Sequence, residues 1–325
     1  MDTLETLEDL DGYRRLFFDT TFWSPYVRQV CQREGLEPCE DIRGGIAGTC
    51  PAFIVADRWL VKFFGRLFNG GPSFAAEQEA NRLAAQDPAI LAAPVITSGV
   101  LRPGENWPWP YLIFRFIPGK SIGEQADKVS GEDWLAIART MGEITRRLHS
   151  LPIAGSTVFP NSHEPYLAFL AEQKARCVQN HREWGTLPAH LIDQIPGFLP
   201  PLDSLIDHTR PPHLIHADLT RDHLLGRVEN GRWHSLALID FGDAMTGDLL
   251  YELVALHLDL FVGDTRLLKA FFEEYGLSKE ARKDLPIRAM ATCLLHRFDV
   301  LSMLPKERLQ VETLEQLAAE LWDVG

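Results

Sequence analysis

Between residues 214 and 226 the chain reads LIHADLTRDHLLG, which sets His216, Asp218, Asp222 and His223 within eight positions. A second apolar run, LALI, ends in Asp240, Phe241, Gly242 and Asp243. A carboxylate at the end of a strand can take the proton of a reacting hydroxyl or hold a hard cation through oxygen. An imidazole can ligate a metal through one nitrogen while it donates from the other. The ordinary alternative is an aspartate that closes an Asx turn or caps a helix. A lone aspartate would be read that way. A second aspartate 22 residues later, in the same strand-end setting, favours chemistry.

The surrounding elements must place these groups. Residues 4 to 35 read as mostly helical, with Ser24 and Pro25 starting a second helix as cap and first residue. Glycines 44, 45 and 48 then precede two β-rich runs, AFIVA and WLVKFF, joined by a two-residue turn. SFAAEQEANRLAAQ reads as a helix capped by Ser73. APVITSGVL and PYLIFRFIPG read as two more strands. The loop between them carries Trp107 and Trp109, equally suited to an aromatic pocket or to packing. After Gly119 the pattern turns helical, with Trp134, Ile137, Ala138, Met141, Ile144 and Leu148 on one stripe. Further helices are expected over 163 to 208, with a break near 196 to 201, and again from 248 onward. HLIHADL and SLALIDFG read as short strands flanking a loop. The fold class predicted is α+β with two lobes. An N-terminal lobe, 1–118, holds a small antiparallel sheet and one packed helix. A mostly helical C-terminal lobe, 119–325, carries the two aspartate loops.

The order of parts now matters more than any one of them. A glycine-rich turn (Gly44, Gly45, Gly48, Thr49) is followed by a lysine in an apolar strand (Lys62). Next come a glutamate in the following helix, a strand ending in Pro-Gly, His216-Ala217-Asp218, and Asp240-Phe241-Gly242. This is the order of the protein-kinase plan. HADLTRDHLL followed by IDFGDAMTGDLLYEL resembles the aminoglycoside phosphotransferase family, within the protein-kinase-like fold. YLIFRFIPGKSI and MGEITRRLHSL resemble its linker and its first large helix. The likeness covers roughly residues 40 to 275.

That resemblance implies transfer of the terminal phosphoryl group of ATP or GTP to a hydroxyl of a small molecule. It casts Asp218 as the catalytic aspartate that orients the acceptor and receives its proton. Lys62 would hold the nucleotide phosphates, steadied by a helix carboxylate. Glu79 is preferred over Glu77, because Leu83 lies one turn beyond it on the core side. Backbone amides near Gly45, Gly48 and Thr49 would cover the phosphates, and Arg115 and Ile117 would present linker backbone to the base. Phe114 would restrict the space behind it. Asp240 would bind Mg2+. The family's asparagine, five residues after the catalytic aspartate, is His223 here, an unusual ligand for magnesium. Ala217 replaces the usual glycine, with less backbone freedom. His216 and Asp248 resemble structural supports, Asp248 by tying the catalytic loop to a helix. Asp222, Asp243, Glu273 and Glu274 are the candidates for acceptor binding, with Glu252 close by.

Composition limits the rest. Net charge is −13, which argues against a nucleic-acid partner and either favours a cationic acceptor or simply keeps the protein soluble. No run approaches the roughly 20 apolar residues of a membrane span. Five scattered cysteines without a CxxC pair read as reduced thiols in a cytoplasmic protein. A monomer is expected. Three functions fit: an antibiotic kinase, an aminoglycoside such as hygromycin being its expected acceptor; a housekeeping small-molecule metabolite kinase of the same fold; and a nucleotide-binding pseudokinase. Intact Lys62, Asp218 and Asp240 argue against the third.

Overall fold

The computed structural model describes residues 3–46, 48–278 and 280–325. Two short helices, α1 (Leu10–Leu16) and α2 (Thr20–Arg33), precede a five-stranded antiparallel sheet. Its strands are β1 (Ile42–Gly44), β2 (Ala52–Val55), β3 (Trp59–Phe63), β4 (Val95–Val100) and β5 (Pro110–Arg115), in the order β1-β2-β3-β5-β4. Successive side chains of a strand point to opposite faces. Phe53, Val55, Val61, Phe63, Tyr111 and Ile113 therefore share one face and pack on Trp23, Val27 and Val30 of α2. Leu112 and Phe114 face the other way, as does Lys62 between Val61 and Phe63. A charged side chain is thus set on the inner face of a buried strand.

Helix α3 (Gly70–Ala84) packs on that inner side. It begins after Asn69, so Ser73 is not its cap: the Ser73 amide already bonds the Asn69 carbonyl within the helix. The second expected boundary also moves. Helix α2 starts at Thr20, capped by Asp19, and runs through Pro25. Proline lacks an amide donor, and here the Ser24 hydroxyl donates to the Thr20 carbonyl one turn back, at 2.5 Å.

The C-terminal part is mostly helical. It contains β6 (Lys120–Ser121), α4 (Ile122–Gln125), α5 (Gly131–Leu148), α6 (Glu164–Trp184), α7 (Ala189–Ile192) and α8 (Ile195–Phe198). On α5, Ile137, Ala138, Met141, Ile144 and Leu148 are buried as the stripe predicts, while Trp134, its first residue, is only half-buried. Helix α8 contains Pro196 and Gly197, where a break is expected; proline is at home in a first turn.

Strands β7 (His213–Ile215), β8 (Leu224–Glu229), β9 (Arg232–Leu238) and β10 (Met245–Gly247) frame the two aspartate loops. Strand β7 pairs with β10, and β6-β8-β9 form a second small sheet. The β8–β9 hairpin turns at Asn230 and Gly231, both left-handed, as a tight hairpin requires. Helices α9 (Leu249–Ala255), α10 (Thr265–Tyr275), α11 (Leu285–Leu294) and α12 (Leu314–Trp322) complete the lobe. The five thiols are free. Among the described residues no helix is long and apolar enough to cross a membrane.

Candidate active site

The Lys62 ammonium donates to Glu77 at 2.6 Å and to Asp240 at 2.8 Å. One bond thus joins it to α3 and the other to the loop after β9. Burial works against the Lys62 charge, but Asp240 and Glu77 outweigh it and hold its pKa above the ordinary value. Burial likewise raises Glu77, to about 7, against the pull of Lys62. Asp240 is held below the usual carboxylate range: burial opposes its charge, and Lys62 and His223 overcome it.

The partner of Lys62 is Glu77, not Glu79. Each helical residue turns by about 100°. The buried arc of α3 runs through Ala76, Glu77, Ala80, Leu83 and Ala84. Leu83 lies at the edge of that arc, so a glutamate one turn before it falls outside. Glu79 instead pairs with Arg82 at 2.7 Å. Glu77→Ala is expected to cost about 3–5 kcal/mol, because it strips a buried ion of one partner. Glu79→Ala removes a surface pair and is expected to cost about 0.5 kcal/mol or less. Urea unfolding of both variants checks this, and equal losses would refute the assignment.

The second loop is built around His216, Ala217 and Asp218. The Glu252 carboxylate, on α9, accepts the amide of His216 at 2.6 Å and that of Ala217 at 3.3 Å. Ala217 is left-handed, with φ 65°, the region that favours glycine. His216 is fully buried; its Nε2 meets the Ile239 carbonyl at 2.9 Å and its ring lies 4.6 Å from Phe241. It joins the two loops. Burial, then the charge of His223, lowers its pKa to about 4. Asp248 does not tie the catalytic loop. It accepts the amides of Asp207 and Leu250, capping α9. The tie is Glu252, one turn further along the same helix. The sequence signal for it is a carboxylate set in LLYELVA, a helix buried on all sides.

His223 bridges the loops from the side. Its Nδ1 lies 2.6 Å from the Asp218 carbonyl, which only accepts, so Nδ1 carries the proton there. The Thr220 hydroxyl sits 3.0 Å from the same nitrogen. His223 Nε2 turns to Asp240, 3.8 Å from Oδ2. Asp218 Oδ2 is 3.5 Å from Nδ1. Burial opposes a charge on His223, and Asp218 and Asp240 more than offset it, so its pKa is raised.

A cavity of about 620 Å³ opens between the sheet and these loops. Lys62, Glu77, His223 and Asp240 line one end, and Phe114, Arg115 and Ile117 the other. The amides of Arg115, Phe116 and Gly119 are bonded to Pro94, Arg58 and Ile117. Among the described residues the Ile117 amide has no such partner. Gly45 and Gly48 line the cavity. The Gly45 amide, however, is bonded to the Ala52 carbonyl at 2.8 Å, which removes it as a phosphate donor. Thr49 is not among the lining residues; its carbonyl accepts the Tyr13 hydroxyl. Ala47 lies outside the described residues.

A family model described as the phosphotransferase enzyme family matches residues 52–286. The chain belongs to the phosphotransferase enzyme family. Solved structures support the protein-kinase-like fold. The GDP complex of wild-type aminoglycoside 2'-phosphotransferase-IIIa is 19% identical, with a TM-score of 0.64 over 91% of this chain and 98% of that one. A microcompartment-associated aminopropanol kinase is 15% identical, with a TM-score of 0.53 over 90% and 94%. One curated relative, lysine-specific demethylase JMJ21 of Arabidopsis thaliana, is 24% identical over 271 residues. The match takes 66% of this chain and 29% of that protein, so the chain spans less than a third of its length.

The expected acceptor carboxylates separate into two groups. Asp243 lies beside Asp218 but is engaged by Arg297 at 2.8 Å. Asp222 is exposed near Ser121, whose hydroxyl donates to it at 3.3 Å. Glu273 and Glu274 are exposed on α10 and do not line the cavity. Trp107 and Trp109 serve packing: the Trp107 indole donates to the Phe64 carbonyl, and Trp109 is buried against Trp23. Two residues escaped the motif reading. Asp259 accepts the Arg221 amide at 2.6 Å and so anchors the far end of the loop that carries Asp218. Arg297 lies beyond the motifs, in a turn after α11, where no local pattern marks it.

Proposed function

We propose that this phosphotransferase moves the terminal phosphoryl group of ATP or GTP to a hydroxyl of a small molecule, with Asp218 as base. The observation that carries this reading is the single charged chain Glu77–Lys62–Asp240–His223–Asp218, which runs from the cavity to the catalytic loop. Lys62 would hold phosphate oxygens, and the Ile117 amide, which has no backbone partner among the described residues, and the Arg115 backbone would meet the base. The acceptor oxygen attacks the γ-phosphorus, the bond to the β-phosphate oxygen breaks, and the acceptor proton passes to Asp218. The products are a phosphorylated acceptor and a nucleoside diphosphate.

The donor set fits a divalent cation shared with the nucleotide. Among the described residues no group of three or more His, Cys, Asp or Glu could hold a metal alone. Magnesium commonly takes one or two protein ligands and completes its shell from phosphates and water. Asp240 Oδ2 and His223 Nε2 are the two atoms placed to serve. The cation would neutralise charge on the phosphates. Nitrogen is a poor partner for magnesium, so His223→Asn is expected to retain transfer and to lower the Mg2+ concentration needed for half-maximal rate. An unchanged magnesium titration would place His223 outside the metal's reach.

Net charge supports a cationic acceptor, an aminoglycoside such as hygromycin being one. The local charges favour a metabolite instead: Asp243 is taken by Arg297, Asp259 by Arg221, and Asp240 by Lys62. The deciding test is nucleotide turnover with ATP and GTP against aminoglycosides, macrolides and hydroxylated metabolites. Turnover dependent on one acceptor class is expected. Nucleotide binding with no turnover in any condition would make the chain a pseudokinase.

A further inference from the structure

Arg297 is a cation paired with Asp243, in the loop that carries Asp240, with most of its donors outside any hydrogen bond among the described residues. Its guanidinium contacts Asp243 through Nη2, at 2.8 Å to Oδ1 and 3.3 Å to the backbone carbonyl. Nε is buried without a hydrogen-bond partner, and among the described residues the guanidinium's one hydrogen bond is that from Nη2 to the Asp243 carbonyl. The side chain is 26% exposed, so the guanidinium is reachable from solvent. Its placement is fixed from three sides. The Arg297 amide meets the Tyr251 hydroxyl at 3.4 Å, Asp243 holds the head group, and Cζ stands 5.1 Å from the centre of the Phe298 ring. Phe298 itself is 49% exposed. Burial raises the proton affinity of Asp218, and the Arg297 charge is the smallest of the influences that act on it, in the opposite direction. A guanidinium offers five donors in a rigid fork shaped for carboxylate or phosphate oxygens. A structural salt bridge to Asp243 needs only part of that fork.

We propose that Arg297 is an oxyanion receptor on the acceptor side of the cleft. The oxyanion belongs either to a carboxylate or phosphate carried by the acceptor, or to the γ-phosphoryl group of the nucleotide. The proposal rests on the phosphotransferase reading of Asp218 and names the charge class that reading leaves open. An acceptor recognised this way carries a negative group near its reacting hydroxyl, which separates it from the polycations.

Inorganic phosphate is the probe. It is titrated calorimetrically into the full chain loaded with magnesium and ADP or GDP, and into the chain loaded with a non-hydrolysable triphosphate analogue. Phosphate is expected to bind at millimolar concentration or better. Its affinity is expected to fall about 10–100-fold in Arg297→Gln and less in Arg297→Lys, which keeps the charge but not the fork. Arginine-dependent binding in the triphosphate form assigns the oxyanion to the acceptor. Arginine-dependent binding in the diphosphate form alone assigns it to the γ-position. Equal affinity in wild type and Arg297→Gln, or no phosphate binding in either form, overturns the receptor. Unchanged diphosphate affinity and thermal midpoint show that each variant is folded. Acceptor-independent nucleotide hydrolysis, measured in parallel with Asp218→Asn, tests the underlying reading separately: a rate indifferent to Asp218 removes that reading while the phosphate result still stands or falls alone.

Discussion

Asp218→Asn is expected to lower phosphoryl transfer by about 10²–10⁴-fold, the range for loss of a positioned base. Nucleotide affinity should stay within about twofold, because Asp218 neither lines the cavity nor touches Lys62. The pH profile of the wild type carries the same signature. Burial raises the Asp218 pKa to about 6; His223 and Arg297 oppose the rise, and Asp243 and Asp240 add to it. Only the carboxylate can receive the acceptor proton. Below about pH 6 the group is protonated and the rate should fall by about tenfold per unit; above it the rate should level off. Transfer at the wild-type rate in the variant, or a rate flat from about pH 7 to 5 in the wild type, would remove Asp218 from the chemistry.

The sequence is most legible where a local pattern and a chemical group coincide. Lys62 could be placed on the cleft face because Val61 and Phe63 on either side demand the opposite one. The ordered series of motifs led to the α+β kinase-like fold, which the family match and the solved structures support. Helix phase was harder. The choice between Glu77 and Glu79 turns on where the centre of the buried arc lies, and a single downstream leucine marks only its edge. The same difficulty hid Glu252. Asp248 and Glu252 stand one turn apart on one helix, and only tertiary packing decides which reaches the catalytic loop. Asp248 is used up by capping its own helix, a role its position just before LLYEL already permits. Arg297 was out of reach for another reason: it meets Asp243 across 54 residues, with no repeat or motif to join them.

Glu252→Ala is expected to damage both stability and turnover, and the two losses have one cause. The amides of His216 and Ala217 would be left buried without their acceptor, at about 1–3 kcal/mol each. Urea unfolding should therefore show a loss of about 3 kcal/mol or more. The wild-type contact also holds Ala217 in a left-handed conformation that costs a non-glycine residue about 1–2 kcal/mol. Without Glu252 the amides of His216 and Ala217 no longer hold that residue in place, and Asp218 is its immediate neighbour. A displacement of about 1 Å at the reacting group is enough to lower the rate by about 100-fold. Nucleotide affinity should survive, since Glu252 lies outside the cavity. Glu252→Gln keeps a carbonyl oxygen for the amides and should lose less of both. Ala217→Gly added to Glu252→Ala should recover stability, because glycine accepts the left-handed conformation without strain. It should recover less turnover, because glycine does not restore the hydrogen bonds that fix the loop. If the alanine variant keeps wild-type stability and rate, the loop is positioned by something other than Glu252, and the buried bond between His216 and Ile239 becomes the remaining tie.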